Sequence, residues 1–131
     1  MKQGFVKVAS ATPRIRVADP VYNAQVICEQ AKEAAEHGAK IVVFPELCIT
    51  GYTCNDLFLQ ELLLEKAKEA LLTIAEETGQ LETLFLVGLP VDKDGRLYNV
   101  AAVLYRGRIL GMIPKKNICL LYTSDAADEA R

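Results

Sequence analysis

The sequence predicts an α/β fold, with helices packed on a single sheet. Three observations predict it. Short β-branched apolar runs alternate with longer stretches of helical periodicity between Phe5 and Leu89. The helical stretches carry start and stop signals, Asp19-Pro20 before the first and Gly38 after it. Beyond Leu89, turn residues at Asp92-Lys-Asp-Gly95 and Arg106-Gly107 separate further strand-like runs, so the chain closes with hairpins.

In chain order, Phe5 to Ala11 reads as a first strand closed by Thr12-Pro13. Asp19 caps a helix with Pro20 in its first turn, and Val21, Ala24, Ile27, Ala31, Ala34 and Ala35 form its apolar stripe up to Gly38. Ala39 to Phe44 is apolar, short and ended by Pro45, which reads as a strand buried on both faces. Asp56 caps a second helix. Its Leu59, Leu62, Leu63, Ala67, Ala70, Leu71 and Ile74 face the sheet, while Glu61, Glu65, Lys66, Lys68, Glu69 and Glu76 face water, and Thr78-Gly79 ends it. Leu84 to Leu89 is a third strand, Leu97 to Tyr105 a fourth, and Arg108 to Ile113 a fifth. Strands separated by helices in the first half imply right-handed βαβ crossovers.

Glu46 is the residue this pattern singles out. It stands at the carboxyl end of the second strand, where open α/β sheets hold their sites. Desolvation there would raise the pKa of a carboxylate toward that of a working general base. Pro45 fixes φ and removes a donor, Gly51 permits a turn, and Tyr52 offers an aromatic wall with a hydroxyl to a substrate.

Composition narrows the classes. With 131 residues the chain amounts to about one domain, and 51% hydrophobic against 24% charged residues is ordinary globular usage. A net charge of −2 and the lack of a basic stripe give no sign of a nucleic-acid partner. No charged-then-apolar leader opens the sequence and no apolar run nears the roughly 18 residues of a membrane span, so a cytoplasmic protein without membrane partners is expected. Cys28, Cys48, Cys54 and Cys119 fit neither a disulfide framework nor zinc-ligand spacing, and no metal site is expected. Cys48, two residues past Glu46, is read as packing rather than as a nucleophile. His37, beside Gly38, is read as meeting the helix dipole.

The segment Phe44-Pro-Glu-Leu-Cys-Ile-Thr-Gly-Tyr52 resembles the first catalytic motif of the nitrilase, or carbon–nitrogen hydrolase, superfamily. Gly4 to Thr12, Asp19 to Ala24, Gly51 to Gln60, Leu97 to Leu104 and Gly107 to Lys115 together resemble the glutaminase domain of the glutamine-dependent NAD synthetases, from Gly4 to about Asn117. The resemblance implies the N-terminal half of a nitrilase-type α-β-β-α sandwich. It also implies a Glu-Lys-Cys triad in which Glu46 is the general base. Lys115, directly after Pro114, supplies the cation that stabilises the oxyanion, with Lys116 as the alternative, and Tyr52 contacts the substrate. The cysteine would lie beyond Ile118, so this chain carries at most two of three catalytic groups and is expected to be inactive alone. Ammonia released from glutamine would pass to a synthetase domain that uses ATP and magnesium, in a homo-oligomeric parent; no cofactor is expected in this part. A stand-alone amidase or nitrilase, and a non-catalytic α/β binding module, are the competing readings.

From Cys119 to Arg131 the resemblance stops, and Cys119-Leu-Leu-Tyr-Thr-Ser-Asp-Ala-Ala-Asp-Glu129 reads as the translation of a transposase-end sequencing adapter. Residues 1–118 are therefore expected to be a partial hydrolase domain and 119–131 a read-through tail. Without the tail, acidic and basic side chains balance, so the net charge of −2 belongs to it.

Overall fold

The computed structural model describes residues 6–51 and 61–117, the side chains of 115–117 excepted. The element order is β1 (Val8–Ser10), α1 (Pro20–Glu36), β2 (Ile41–Val43), α2 (Glu61–Glu77), β3 (Leu84–Lys93), β4 (Arg96–Tyr105) and β5 (Arg108–Asn117). All five strands form one sheet in the order β1-β2-β3-β4-β5. β1, β2 and β3 run parallel, through connections that contain α1 and α2, and β3, β4 and β5 follow as an antiparallel meander. The α/β class expected from the sequence is the one observed.

Local signals explain most boundaries. The Asp19 carboxylate accepts from the Tyr22 amide at 3.2 Å with Pro20 in the first turn, and α1 ends at His37 with Gly38 in the left-handed region at φ +87°. Both hairpins turn in two residues with positive φ throughout, Asp94-Gly95 and Arg106-Gly107, the twist that matches right-handed strands. The Asp92–Gly95 turn expected from sequence is therefore shorter, because β3 runs on to Lys93. Pro90 does not stop it: β2 pairs with β3 only as far as Leu86, and past that point β3 needs no donor on that side. β5 likewise continues past Ile113 to Asn117.

The core lies between the helices and one face of the sheet. Ile27 and Ala31 of α1, Leu71 and Ile74 of α2, and Val42, Phe85, Val87, Leu89, Ala102 and Leu104 of the strands are buried there. Each large side chain so buried contributes about 1.5–3 kcal/mol. Three expectations fail here: Leu62, expected to face the sheet from α2, is 67% exposed. Val21 is exposed and the polar Asn23 takes its place in the buried stripe of α1. β2 is buried on one face only: Val42 is inaccessible while its neighbour Val43 is 40% exposed, because both helices lie on the same side of the sheet. Asp56 and Leu59 lie outside the described residues. Among those described, no helix is long and apolar enough to cross a membrane.

Candidate active site

The chain leaves β2 through a segment held at several points. The Phe44 amide donates to the Leu86 carbonyl at 2.9 Å, carrying the β2–β3 pairing one residue further. Leu47 is fully buried with φ +52°, a left-handed conformation that costs a branched residue about 1 kcal/mol or more. It is sustained by neighbours: the Thr50 and Gly51 amides donate to the Leu47 carbonyl at 3.2 and 2.7 Å, and the Ile49 amide donates to the Gly88 carbonyl at 3.2 Å. Asn23, inaccessible inside α1, ties the same segment to the preceding loop. Its Nδ2 donates to the carbonyls of Ile49 and Arg16, both at 2.7 Å, and its Oδ1 accepts from the Arg16 amide at 2.6 Å.

Gly88 sets how near this segment comes to the sheet. A Cβ there would stand 2.5 Å from the Leu47 nitrogen, 2.8 Å from the Pro45 oxygen and 3.0 Å from the Glu46 carbonyl carbon. All three are backbone atoms, so only glycine lets Pro45, Glu46 and Leu47 lie directly on β3. Glu46 is thereby fixed at the carboxyl end of β2, as expected, but its side chain is exposed rather than buried. The reason is the one-sided cover of the sheet: Glu46 stands over the face that the helices leave open. It borders a cavity of about 110 Å³ lined by Phe44, Pro45, Leu86, Asn99, Ala101 and Ile113.

β5 brings the lysine to the same region of the sheet. Its register with β4 passes from Val100↔Pro114 to Asn99↔Lys116, which leaves Lys115 as the extra residue of a β-bulge. Val100 and Asn99 both line the Glu46 cavity. The bulge therefore places the Lys115 backbone beside the cavity, while the side chains of Lys115 and Lys116 lie outside the described residues, as do Tyr52, Cys54 and Cys119.

The remaining candidates have structural roles. Cys48 is inaccessible, its Sγ 3.7 Å from the Gly88 carbonyl, and burial pushes its thiol up to about 11; burial likewise pushes Cys28 up to about 11. Neither is poised as a thiolate. His37 closes α1, its Nδ1 2.8 Å from the Glu33 carbonyl. Among the described residues no group of three His, Cys, Asp or Glu side chains gathers to hold a metal ion. A larger groove of about 430 Å³ between α1 and α2 is lined by solvated charges such as Glu29, Lys32, Lys66 and Glu69, away from Glu46.

Residues 7–125 match the carbon–nitrogen hydrolase family. The chain belongs to that family. The match ends seven residues inside the tail expected to be adapter-derived. Over 114 residues, 87% of its length, the chain is 39% identical to the glutamine-dependent NAD(+) synthetase of Mycobacterium tuberculosis. Over 118 residues, 90% of its length, it is 33% identical to that of Acinetobacter baylyi. It spans 17% and 21% of those proteins, about a fifth of the curated relatives it matches. A glutamine-dependent NAD(+) synthetase from Cytophaga hutchinsonii superposes with a TM-score of 0.78 at 31% identity, over 85% of this chain and 19% of that one. An amidase from Nesterenkonia sp. shares the fold, with a TM-score of 0.73 at 24% identity over 88% and 44% of the two chains.

Three residues that shape the site escaped the sequence reading. Gly88 is a lone glycine in an apolar strand, a pattern that marks close backbone approach. Asn23 lies one turn before Ile27, a polar residue inside an apolar helical stripe. Asn99 interrupts a strand of apolar neighbours with no local signal of its purpose.

Proposed function

We propose that this chain carries the base-bearing half of a glutamine-hydrolysing site, in a longer cytoplasmic, self-associating protein that passes the released ammonia to ATP- and magnesium-dependent NAD synthesis. The observation that carries this reading is the Glu46 segment, held against Gly88 and set over a cavity that the Lys115 bulge also adjoins. A carboxylate fixed on backbone that cannot shift suits proton transfer, which needs its acceptor within about 3 Å of the proton it takes. In this reading a Glu46 Oε takes the proton of a cysteine thiol that the longer protein supplies from beyond residue 118. The thiolate adds to the side-chain amide carbon of glutamine, forming the C–S bond. Lys115 stabilises the resulting oxyanion, and Glu46 returns the proton to the nitrogen as the C–N bond breaks and ammonia leaves. Water then cleaves the thioester, giving glutamate and the free thiol. Tyr52 bounds the substrate.

The relatives that share 33–39% identity are named glutamine-dependent NAD(+) synthetases, which favours glutamine over nitriles or simple amides as the substrate. The test is ammonia release by the product of the gene read through and past residue 118, with glutamine, asparagine and propionamide offered separately. Preference for glutamine and about 100-fold or greater loss in Lys115→Ala are expected. Preference for propionamide would replace this reading with that of a stand-alone amidase.

A further inference from the structure

Asn23 occupies a place where an apolar residue would serve the core better. It is inaccessible, and the rest of the buried stripe of α1 is Pro20, Ala24, Ile27, Cys28 and Ala31. Asparagine is a poor residue for a helix interior, and an amide withdrawn from water costs about 1–3 kcal/mol unless its bonds are replaced. They are replaced outside the helix. The three side-chain bonds of Asn23 reach Arg16, in the connection from β1 to α1, and Ile49, in the segment that follows β2.

Ile49 is held from two sides: its amide donates to the Gly88 carbonyl at 3.2 Å, and its carbonyl accepts from Asn23 Nδ2 at 2.7 Å. The Phe44 amide, on the Leu86 carbonyl at 2.9 Å, anchors the other end of the span. Glu46 lies between these anchors, next to Leu47 with its φ of +52°, a conformation that persists only where the surroundings over-determine it. The loop that Asn23 holds through Arg16 supports the far end of the segment. Ala18, left-handed at φ +60°, donates to the Thr50 carbonyl at 2.7 Å, and a Cβ on Gly51 would stand 3.0 Å from the Val17 Cα. One amide thus joins two loops, each with a strained residue, at the carboxyl ends of β1 and β2.

We infer that Asn23 is a positioning residue for Glu46: by clamping the Ile49 carbonyl and the Arg16 backbone, it fixes the backbone from which the carboxylate reaches the reacting atoms. The inference rests on the glutamine-hydrolysis reading and adds to it the side chain that sets its base in place. Asn23 touches neither substrate nor the proton in flight, so its removal acts on the chemical step through Glu46 alone. A displacement of about 1 Å at a catalytic group can cost about 10²-fold in rate.

The test is a double-mutant cycle on ammonia release from glutamine by the protein read past residue 118, comparing wild type, Asn23→Ala, Glu46→Gln and the pair, each checked for folding by circular dichroism. Asn23→Ala is expected to lower kcat about 10–100-fold with KM within about threefold of wild type, and to cost less than about twofold once Glu46 is already glutamine. In the 131-residue chain the same substitution is expected to displace the Glu46 and Leu47 amide resonances. An unchanged kcat, a rise in KM in place of the fall in kcat, or the same loss in both backgrounds would each overturn the inference, the last by showing a general structural role. Where Asn23→Ala does not fold, Asn23→Asp keeps the volume and the acceptor and loses the amide donors; failure of both variants to fold makes Asn23 structural and overturns the inference too. The two readings fail separately. Wild-type kcat in Glu46→Gln sinks the proposed function, whereas a large loss in Glu46→Gln with none in Asn23→Ala sinks only this inference.

Discussion

The two faces of the sheet are built from alternate residues of the same strands, yet they differ in nearly every physical respect. On the helix-covered face Val42, Phe85, Val87, Ala102 and Leu104 are at most 1% exposed. On the other face Val43 and Ile113 are 40% and 52% exposed, and Leu86, Ala101 and Val103 are only half-buried. Because successive strand side chains point to opposite faces, each residue serves one face only. The covered face holds the fold together, while Glu46 and Asn99 belong to the open side. In the proposed reading stability and chemistry are separated by the thickness of one sheet, so substitutions that damage one should largely spare the other.

The largest expected effect tests that separation directly. Phe85→Ala should cost about 3–5 kcal/mol of unfolding free energy by denaturant titration, whereas Ile113→Ala on the open face should cost less than about 0.5 kcal/mol. Similar losses from both would mean that the open face is covered in solution. Gly88→Ala comes next, since its methyl would meet backbone on three sides; about 1–3 kcal/mol and displaced amide resonances at Glu46 and Leu47 are expected. An unperturbed Gly88→Ala protein would show that the Glu46 segment is not pressed on β3.

A smaller effect concerns Cys48. Its thiol is raised by burial from 9.0 to about 11, so the folded state holds the proton more tightly than the unfolded chain. The stability this adds is fully present below pH 9 and is lost as pH rises through about 11. Cys48→Ala should flatten that part of the pH profile, and an unchanged slope would place the thiol in water. The smallest effect is expected from deleting residues 119–131: if that segment is adapter-derived, Tm should not move, and a fall of several degrees would mark the tail as part of the domain.

Much of the fold was legible because its signals are local. Asp19-Pro20, Gly38, Asp94-Gly95 and Arg106-Gly107 fix caps and turns through their own backbone preferences. The one-sided burial was not legible, since Ile41, Val42, Val43 and Phe44 are all apolar and a run without alternation does not say which face is covered. The same gap led to expecting a buried Glu46. Motif spacing singled out Glu46 and the lysine after Pro114, whereas Gly88 acts through its closeness to residues far away in sequence, and nothing adjacent to it announces that.

The central claim is that Glu46 is the proton-transfer group of a glutamine-hydrolysing site that this chain carries only in part. The most direct measurement is kcat for ammonia release from glutamine by the protein read past residue 118, wild type against Glu46→Gln, with circular dichroism confirming that both are folded. The account predicts a loss of about 10²–10⁴-fold in Glu46→Gln, the range for removal of a general acid–base group, and no hydrolysis by the 131-residue chain alone. A Glu46→Gln protein with wild-type kcat, or hydrolysis by the 131-residue chain that Cys48→Ser abolishes, would contradict it.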